Sequence, residues 1–311
     1  MARRFRRHLL HLLIALAAAV PATVSAEIQG SVAFAQDDLS NDWRRAQVAA
    51  VRDHLADYPG VELEVTDARG DASLQALHVE RLARRGVDVL ITSPADGKLL
   101  EPVIRRVHRN GTPVILLDRR IPGAGFTAFV HPDNRQVTQR LASFLLDRLE
   151  GEGRILMLKG LPEATPTLLR TRTFLAETKR HPGISVTSRV GNYLRGDALR
   201  AVEAILRTEG GFPFDAIYAQ SDSMAVGARM ALRRGGIDPG NLLIAGIDYI
   251  QAARKAIRNG EQAVSYTYPT GGQEGAELAL RLLQGESVPR ELVLDSVQVT
   301  ADNLDAADPI F

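Results

Sequence analysis

The 311-residue chain contains no Cys. Disulfides are therefore excluded, which a chain able to bury a large core tolerates even in an oxidising compartment. With no Cys after the N-terminal apolar stretch, a lipoprotein anchor is excluded as well. Neither sign of charge is in excess, with 38 Lys and Arg against 37 Asp and Glu. A nucleic-acid partner, which calls for a basic patch or stripe, is not indicated. There is no low-complexity linker and no apolar run of membrane-spanning length. Three catalytic signatures are also missing: a Gly-x-Ser-x-Gly elbow, a phosphate-binding Gly-Lys-Ser/Thr loop and a His-x-x-x-His zinc pair.

What the N-terminus does have is Arg3, Arg4, Arg6 and Arg7 ahead of the apolar stretch Leu9 to Val20, then the small residues Val24-Ser25-Ala26. Together these predict a secretory signal peptide over residues 1–26, with a retained signal anchor as the alternative. The mature chain then starts near Glu27, with 34 basic residues against 37 acidic ones. The expected location is a bacterial periplasm, as a soluble protein.

From Ile28 onward, short apolar runs alternate with amphipathic segments of helical length. Ser31 to Ala35, Val61 to Val65, Val87 to Ile91 and Val114 to Leu117 read as strands. Asp42 to Ala56, Asp71 to Arg85 and Lys98 to Asn110 read as the helices between them. In the first helix Trp43, Ala46, Ala50 and Leu55 are the inward positions, with Asn41 as the cap. His131-Pro132-Asp133-Asn134 interrupts the pattern, which then restarts. Strands are expected at Ile155 to Leu158, Ile184 to Val190, Ala216 to Ala219, Leu242 to Ile247 and Ala263 to Tyr266. A last strand is expected over Leu292 to Val299. The fold class is α/β: two doubly wound parallel-sheet lobes joined by hinge strands. Lobe one is expected to hold residues 27–131 plus 269–292, and lobe two residues 132–268 plus 293–311.

Open α/β sheets bind ligands beyond the carboxyl ends of their strands. The residues there are Gln36, Trp43, Arg44, Ser93, Asp118 and Arg119 in the first half. In the second half they are Arg170, Tyr193, Ser221, Asp222 and Asp248, with Tyr268 near the last crossover. Such a set describes a site for a polyhydroxylated ligand: carboxylates and guanidinium forks bond hydroxyl groups, and Trp or Tyr stacks on apolar ring faces. Each residue also has an ordinary role open to it. Trp43 suits the core, Arg44 a solvated helix face, Tyr193 a loop turn, and Asp222 the cap of a helix beginning at Ser223. Arg172 competes with Arg170 for the cleft. No metal and no cofactor is expected.

The sequence resembles the periplasmic sugar-binding proteins of ABC transporters, ribose-binding type, whose fold is that of type I periplasmic binding proteins. The first-lobe markers are Gly86-Val87-Asp88, Ser93-Pro94 and Pro113 to Arg119. Those of the second lobe are Asp133-Asn134, Tyr218 to Ala228 and Gly246-Ile247-Asp248. Phe34-Ala35-Gln36 with Trp43-Arg44 looks most like the galactofuranose-binding branch. The resemblance implies ligand contacts by Asp118, Arg119, Arg170 and Asp248, with Trp43, Arg44 and Tyr193 lining the pocket. Departures fall at Ser93 and Ser221, where the family often has Asn, and around Thr267-Tyr268, where it commonly has Gln.

The expected function is therefore a monomeric periplasmic receptor for a monosaccharide or polyol, partnered by an inner-membrane ABC permease. A sensor kinase or chemoreceptor is the alternative partner. An enzyme using Asp118 and Asp248 as a glycosidase pair is the remaining alternative from another class.

Overall fold

Four-residue runs such as Val114–Leu117 have no polar face to offer water, so they must be covered on both sides. The computed structural model describes residues 28–311 apart from Gly210 and Ala306. The predicted signal peptide lies outside the described residues. The first series of elements is β1 (Gly30–Gln36), α1 (Asp42–Leu55), β2 (Val61–Asp67), α2 (Ala72–Arg84), β3 (Val89–Thr92), α3 (Gly97–Arg109), β4 (Val114–Leu117) and β5 (Ala128–Pro132). The second opens with α4 (Asn134–Arg148), β6 (Glu152–Lys159), α5 (Thr165–Thr178), β7 (Gly183–Val190) and α6 (Arg195–Glu209). It continues through β8 (Ala216–Ala219), α7 (Asp222–Arg234), β9 (Leu243–Ala245), α8 (Gln251–Arg258) and β10 (Ser265–Tyr266). Then follow α9 (Gly272–Leu283), β11 (Glu291–Leu294) and β12 (Gln298–Val299).

The first lobe is a parallel sheet in the order β2-β1-β3-β4-β5-β11, and the second a parallel sheet in the order β7-β6-β8-β9. A parallel bridge from Ala245 to Val264 carries the second sheet toward β10. Each lobe thus repeats one arrangement, with the strand order reversing beside its first strand, which puts a ligand crevice at that switch point. Helices cover both faces. Phe34, Ile115 and Leu117 pack with Val51 of α1 and Ala276 and Ala279 of α9, while Leu90 and Leu116 meet Leu82, Leu100 and Ile104 on the opposite side. In the second lobe Ile155 and Met157 pack with Leu141, Leu145 and Phe174, and Leu156 and Leu158 with Val202, Met224 and Ala228.

The chain crosses between lobes three times: after β5, after β10 and after β11. Two of these crossings fall where the sequence reads differently. Ala128–Pro132 is a strand, although His131-Pro132 reads as a break; Pro132 is its last residue and lies beyond the last β4 pairing, at Val130. The expected strand from Leu292 to Val299 is two strands, β11 in the first sheet and β12 pairing antiparallel with β10, because the chain changes lobes between them. In α1 the inward face is also shifted: Ala46 and Ala50 are half-buried, while Val48, Val51 and the polar Arg44 and Gln47 are buried.

Candidate functional site

The carboxyl ends of the two sheets face each other, and the backbone there is strained. Seven described non-glycine residues have positive φ, and three of them line the space between the lobes: Asp118 (61°), Tyr193 (62°) and Asp248 (116°). Such conformations cost about 1–3 kcal/mol each and cluster where side chains must be aimed. Asp118 follows β4 and Asp248 follows β9, so each lobe turns a carboxylate inward from a corresponding strand end.

Between them lies a cavity of about 370 Å³, lined by both lobes. Trp43, Arg44, Asp118 and Arg119 line it from the first lobe, and Arg170, Tyr193, Ser221 and Asp248 from the second. Tyr268 lines it from the crossing between β10 and α9. Asn41, Pro166 and Ser223, not among the sequence candidates, complete the wall. Gln36, Ser93 and Asp222 do not reach it.

In the first lobe Asp37, Arg44, Asp118 and Arg119 alternate in charge, each at most 5% exposed. Arg44 Nη2 donates to Asp118 Oδ2 at 2.7 Å, and its Nε faces Asp37 Oδ1 at 3.2 Å. Arg119 Nη1 donates to Asp37 Oδ2 at 2.6 Å. Arg44 also donates to Ser93 Oγ at 2.9 Å and to Gln47 Oε1 at 3.2 Å, and Gln47 in turn accepts from Gln36 Nε2 at 3.0 Å. Ser93 and Gln36 therefore hold Arg44 from behind. Burial works against the Asp118 carboxylate, but Arg44, Arg119 and the Tyr268 hydroxyl hold its pKa below the ordinary value. Arg119 Nε is buried with no hydrogen-bond acceptor among the described residues. It is a donor with capacity to spare.

In the second lobe Arg170 is the buried arginine, and Arg172 is exposed. Arg170 Nε donates to Asn134 Oδ1 at 2.8 Å and Nη1 to the Gln220 carbonyl, while its guanidinium lies 4.3 Å from the Tyr268 ring centroid. Asp248 takes no hydrogen bond from a described side chain; the Asp222 backbone N–H faces it. Burial, opposed by Arg170 and reinforced by Asp222 and Asp118, pushes its pKa well above the ordinary carboxylate value. It is the carboxylate with acceptor capacity to spare. The Tyr193 hydroxyl accepts from Thr167 Oγ1 at 2.8 Å, and its ring lies so close to Gly160 that a Cβ there would be 2.0 Å from a ring carbon. Asn41 Nδ2 donates to the Tyr193 carbonyl at 3.0 Å, joining the lobes at the cavity's edge.

Asp222 is neither a cavity residue nor the helix cap. Ser221 caps α7, accepting from Met224 N, and Asp222 is the first helical residue. Its carboxylate turns inward to accept from Gln262 Nε2 (2.7 Å), Ser265 Oγ (2.5 Å) and the Tyr249 N–H (2.7 Å). It thereby supports the strained turn that carries Asp248. Asp37 and Asn134 are the important residues that candidate picking misses. Asp37 directly follows the candidate Gln36 at the end of β1; Asn134 is a marker of the family resemblance but not among the candidate ligand contacts.

The comparisons with known proteins agree with this geometry. A family model described as "Periplasmic binding protein domain" matches residues 32–287. The xylitol-binding protein of Mycolicibacterium smegmatis is 27% identical over 82% of this chain and 73% of that protein. The galactofuranose-binding protein of Escherichia coli is 26% identical over 76% of each. The two identities are nearly equal, so overall similarity does not single out the galactofuranose branch. Among solved structures, the fructose-binding periplasmic domain of a hybrid two-component system superposes with a TM-score of 0.82 at 26% identity, covering 89% of this chain and 93% of that one. With two parallel-sheet lobes closed over a polar cavity, and a family match over most of its length, the chain belongs to the periplasmic binding protein domain family.

Proposed function

We propose that the protein is a periplasmic substrate-binding protein of an ABC transporter, taking up an uncharged monosaccharide or polyol. Pentoses, hexoses and furanose forms all belong to that class. The observation that carries this reading is the paired carboxylates and guanidinium groups from both lobes around one cavity. Such groups accept from and donate to ring hydroxyls, and Trp43 and Tyr193 offer apolar faces. A ligand touching both lobes stabilises the closed form, which a membrane partner then recognises. The N-terminal 26 residues act as the export signal, and the mature protein works as a soluble monomer without catalysing a reaction. The xylitol- and galactofuranose-binding names of its relatives support the ligand class.

A sensor kinase as the partner is the second reading, favoured by the likeness to a periplasmic domain of a two-component system. Thermal-shift screening of the mature protein against pentoses, hexoses, furanose-rich sugars and polyols tests the ligand class. A ligand at 100-fold excess over its Kd stabilises the fold by about 2.7 kcal/mol, enough to move Tm by several degrees. A flat response across the panel overturns the proposal. Neighbouring genes for an ATPase and permease, or for a kinase, separate the two partners.

A further inference from the structure

The Asp248 carboxylate accepts from no side chain among the described residues, so its direction into the cavity is set by the backbone that carries it. The peptide groups on both sides of it are held. Its own N–H donates to the Tyr266 carbonyl of β10 at 2.9 Å. The next N–H, that of Tyr249, donates to Asp222 Oδ2 at 2.7 Å and to Ser265 Oγ at 3.1 Å. Asp248 and Tyr249 have φ of 116° and 57°. Two such residues in succession persist only where their surroundings over-determine them.

Part of those surroundings comes from the segment after β12. Tyr249 is fully buried and lines no part of the cavity. It packs with Ile257 of α8 and Val299 of β12, and Leu304 and Ala307 close over them. Its hydroxyl donates to the Leu304 carbonyl at 2.6 Å, and its carbonyl accepts from the Ile310 N–H at 3.1 Å. The same segment reaches α8: the Phe311 carbonyl accepts from the Gln251 N–H at 2.7 Å, at a helix start that no side chain caps. Asp222 and Ser265 thus hold the Tyr249 N–H, while Leu304 and Ile310 hold its hydroxyl and carbonyl.

We propose that Tyr249 is a positioning residue for the ligand, and that Leu304 and Ile310 act through it to keep Asp248 aimed into the cavity. This rests on the sugar and polyol reading of that cavity, with Asp248 as an acceptor. Released on the Leu304 and Ile310 side, the turn relaxes toward ordinary φ and the carboxylate swings away from the hydroxyl it accepts from. Two variants release it without emptying the core. Tyr249→Phe keeps the ring and removes the donor to Leu304, and Ile310→Pro removes the donor to the Tyr249 carbonyl.

Each variant is titrated calorimetrically, as the mature protein, with D-ribose, D-galactose and xylitol, alone and combined with Asp248→Ala. For whichever probe the wild type binds, each single variant is expected to weaken binding about threefold to tenfold, the range a lost hydrogen bond gives. In the Asp248→Ala background the same substitution is expected to cost less than about twofold, because the side chain it positions is gone. A merely structural role costs the same factor in both backgrounds. Wild-type affinity in either single variant, or an equal loss with and without the Asp248 side chain, overturns the inference and leaves the ligand class standing. Wild-type binding of none of the three probes is a different failure: it counts against the sugar and polyol reading and removes the inference with it.

Discussion

Asp222 lies one residue from the cavity wall and turns away from it, into a fully buried nest of donors. Burial pushes its pKa up to about 6, despite opposition from Ser265, Gln262, Arg229 and the Tyr249 N–H. Because the folded form holds this proton more tightly than the unfolded chain, the group's contribution to stability is greatest below about pH 4. It is lost as pH rises from about 4 to 6, by at most about 3 kcal/mol. Asp222→Asn is expected to lower Tm overall, through a lost acceptor, and to flatten the fall of Tm over that pH range. Tm measured between pH 4 and 7 for both proteins checks this; parallel curves contradict it. The neighbouring Asp248 shows the opposite use of a carboxylate at a strand end. Both follow apolar runs and look alike in sequence, and only the side-chain direction, set by the positive φ at Asp248, separates them.

Among elements, the strands that end at the site are legible because their apolar runs are short, continuous and punctuated by charge. Asp118-Arg119 after β4 and Asp248 after β9 could be picked from that pattern alone. The helix face of α1 could not be, because its inward side carries Arg44 and Gln47, whose partners Asp37, Ser93 and Gln36 come from strand ends far along the chain or before the helix. A hydrophobic-periodicity reading assigns such residues to solvent. The loop after β6 likewise hides its reason for a glycine. Gly160 is glycine not for its φ but because the Tyr193 ring packs against its Cα. Gly160→Ala is expected to displace that ring from the cavity wall and weaken ligand binding about tenfold or more, with the fold retained. Far-ultraviolet circular dichroism and a titration of the same sample check both halves, and unchanged affinity removes Tyr193 from the ligand wall.

At the scale of the whole molecule, the two lobes meet at the cleft edge through contacts that a ligand does not need to touch. Arg195 Nη2 lies 3.2 Å from Asp42 Oδ2, and Asn41 reaches the Tyr193 carbonyl nearby. The ion pair is partly exposed, so its share in holding the closed form is small, about 0–1 kcal/mol, and screened by salt. Arg195→Ala is expected to weaken ligand affinity by no more than about fivefold, with the difference from wild type vanishing at high salt. Titrations at low and high ionic strength read this directly, and a salt-independent loss contradicts a role at the lip. The closed arrangement also explains why the crossings were the least legible part of the chain. A strand that changes lobes, as between β11 and β12, keeps its apolar pattern while changing its partners, and local sequence records the pattern alone.

The central claim is that one small ligand is held by carboxylates from both lobes at once. Its most direct test is a calorimetric titration of the best ligand from the sugar and polyol screen into wild type, Asp118→Asn and Asp248→Asn. Losing an acceptor oxygen that a buried hydroxyl relies on costs about 1–3 kcal/mol, so each variant is expected to bind about 5-fold to 150-fold more weakly. Wild-type affinity retained in either variant would contradict a ligand bridging the two lobes.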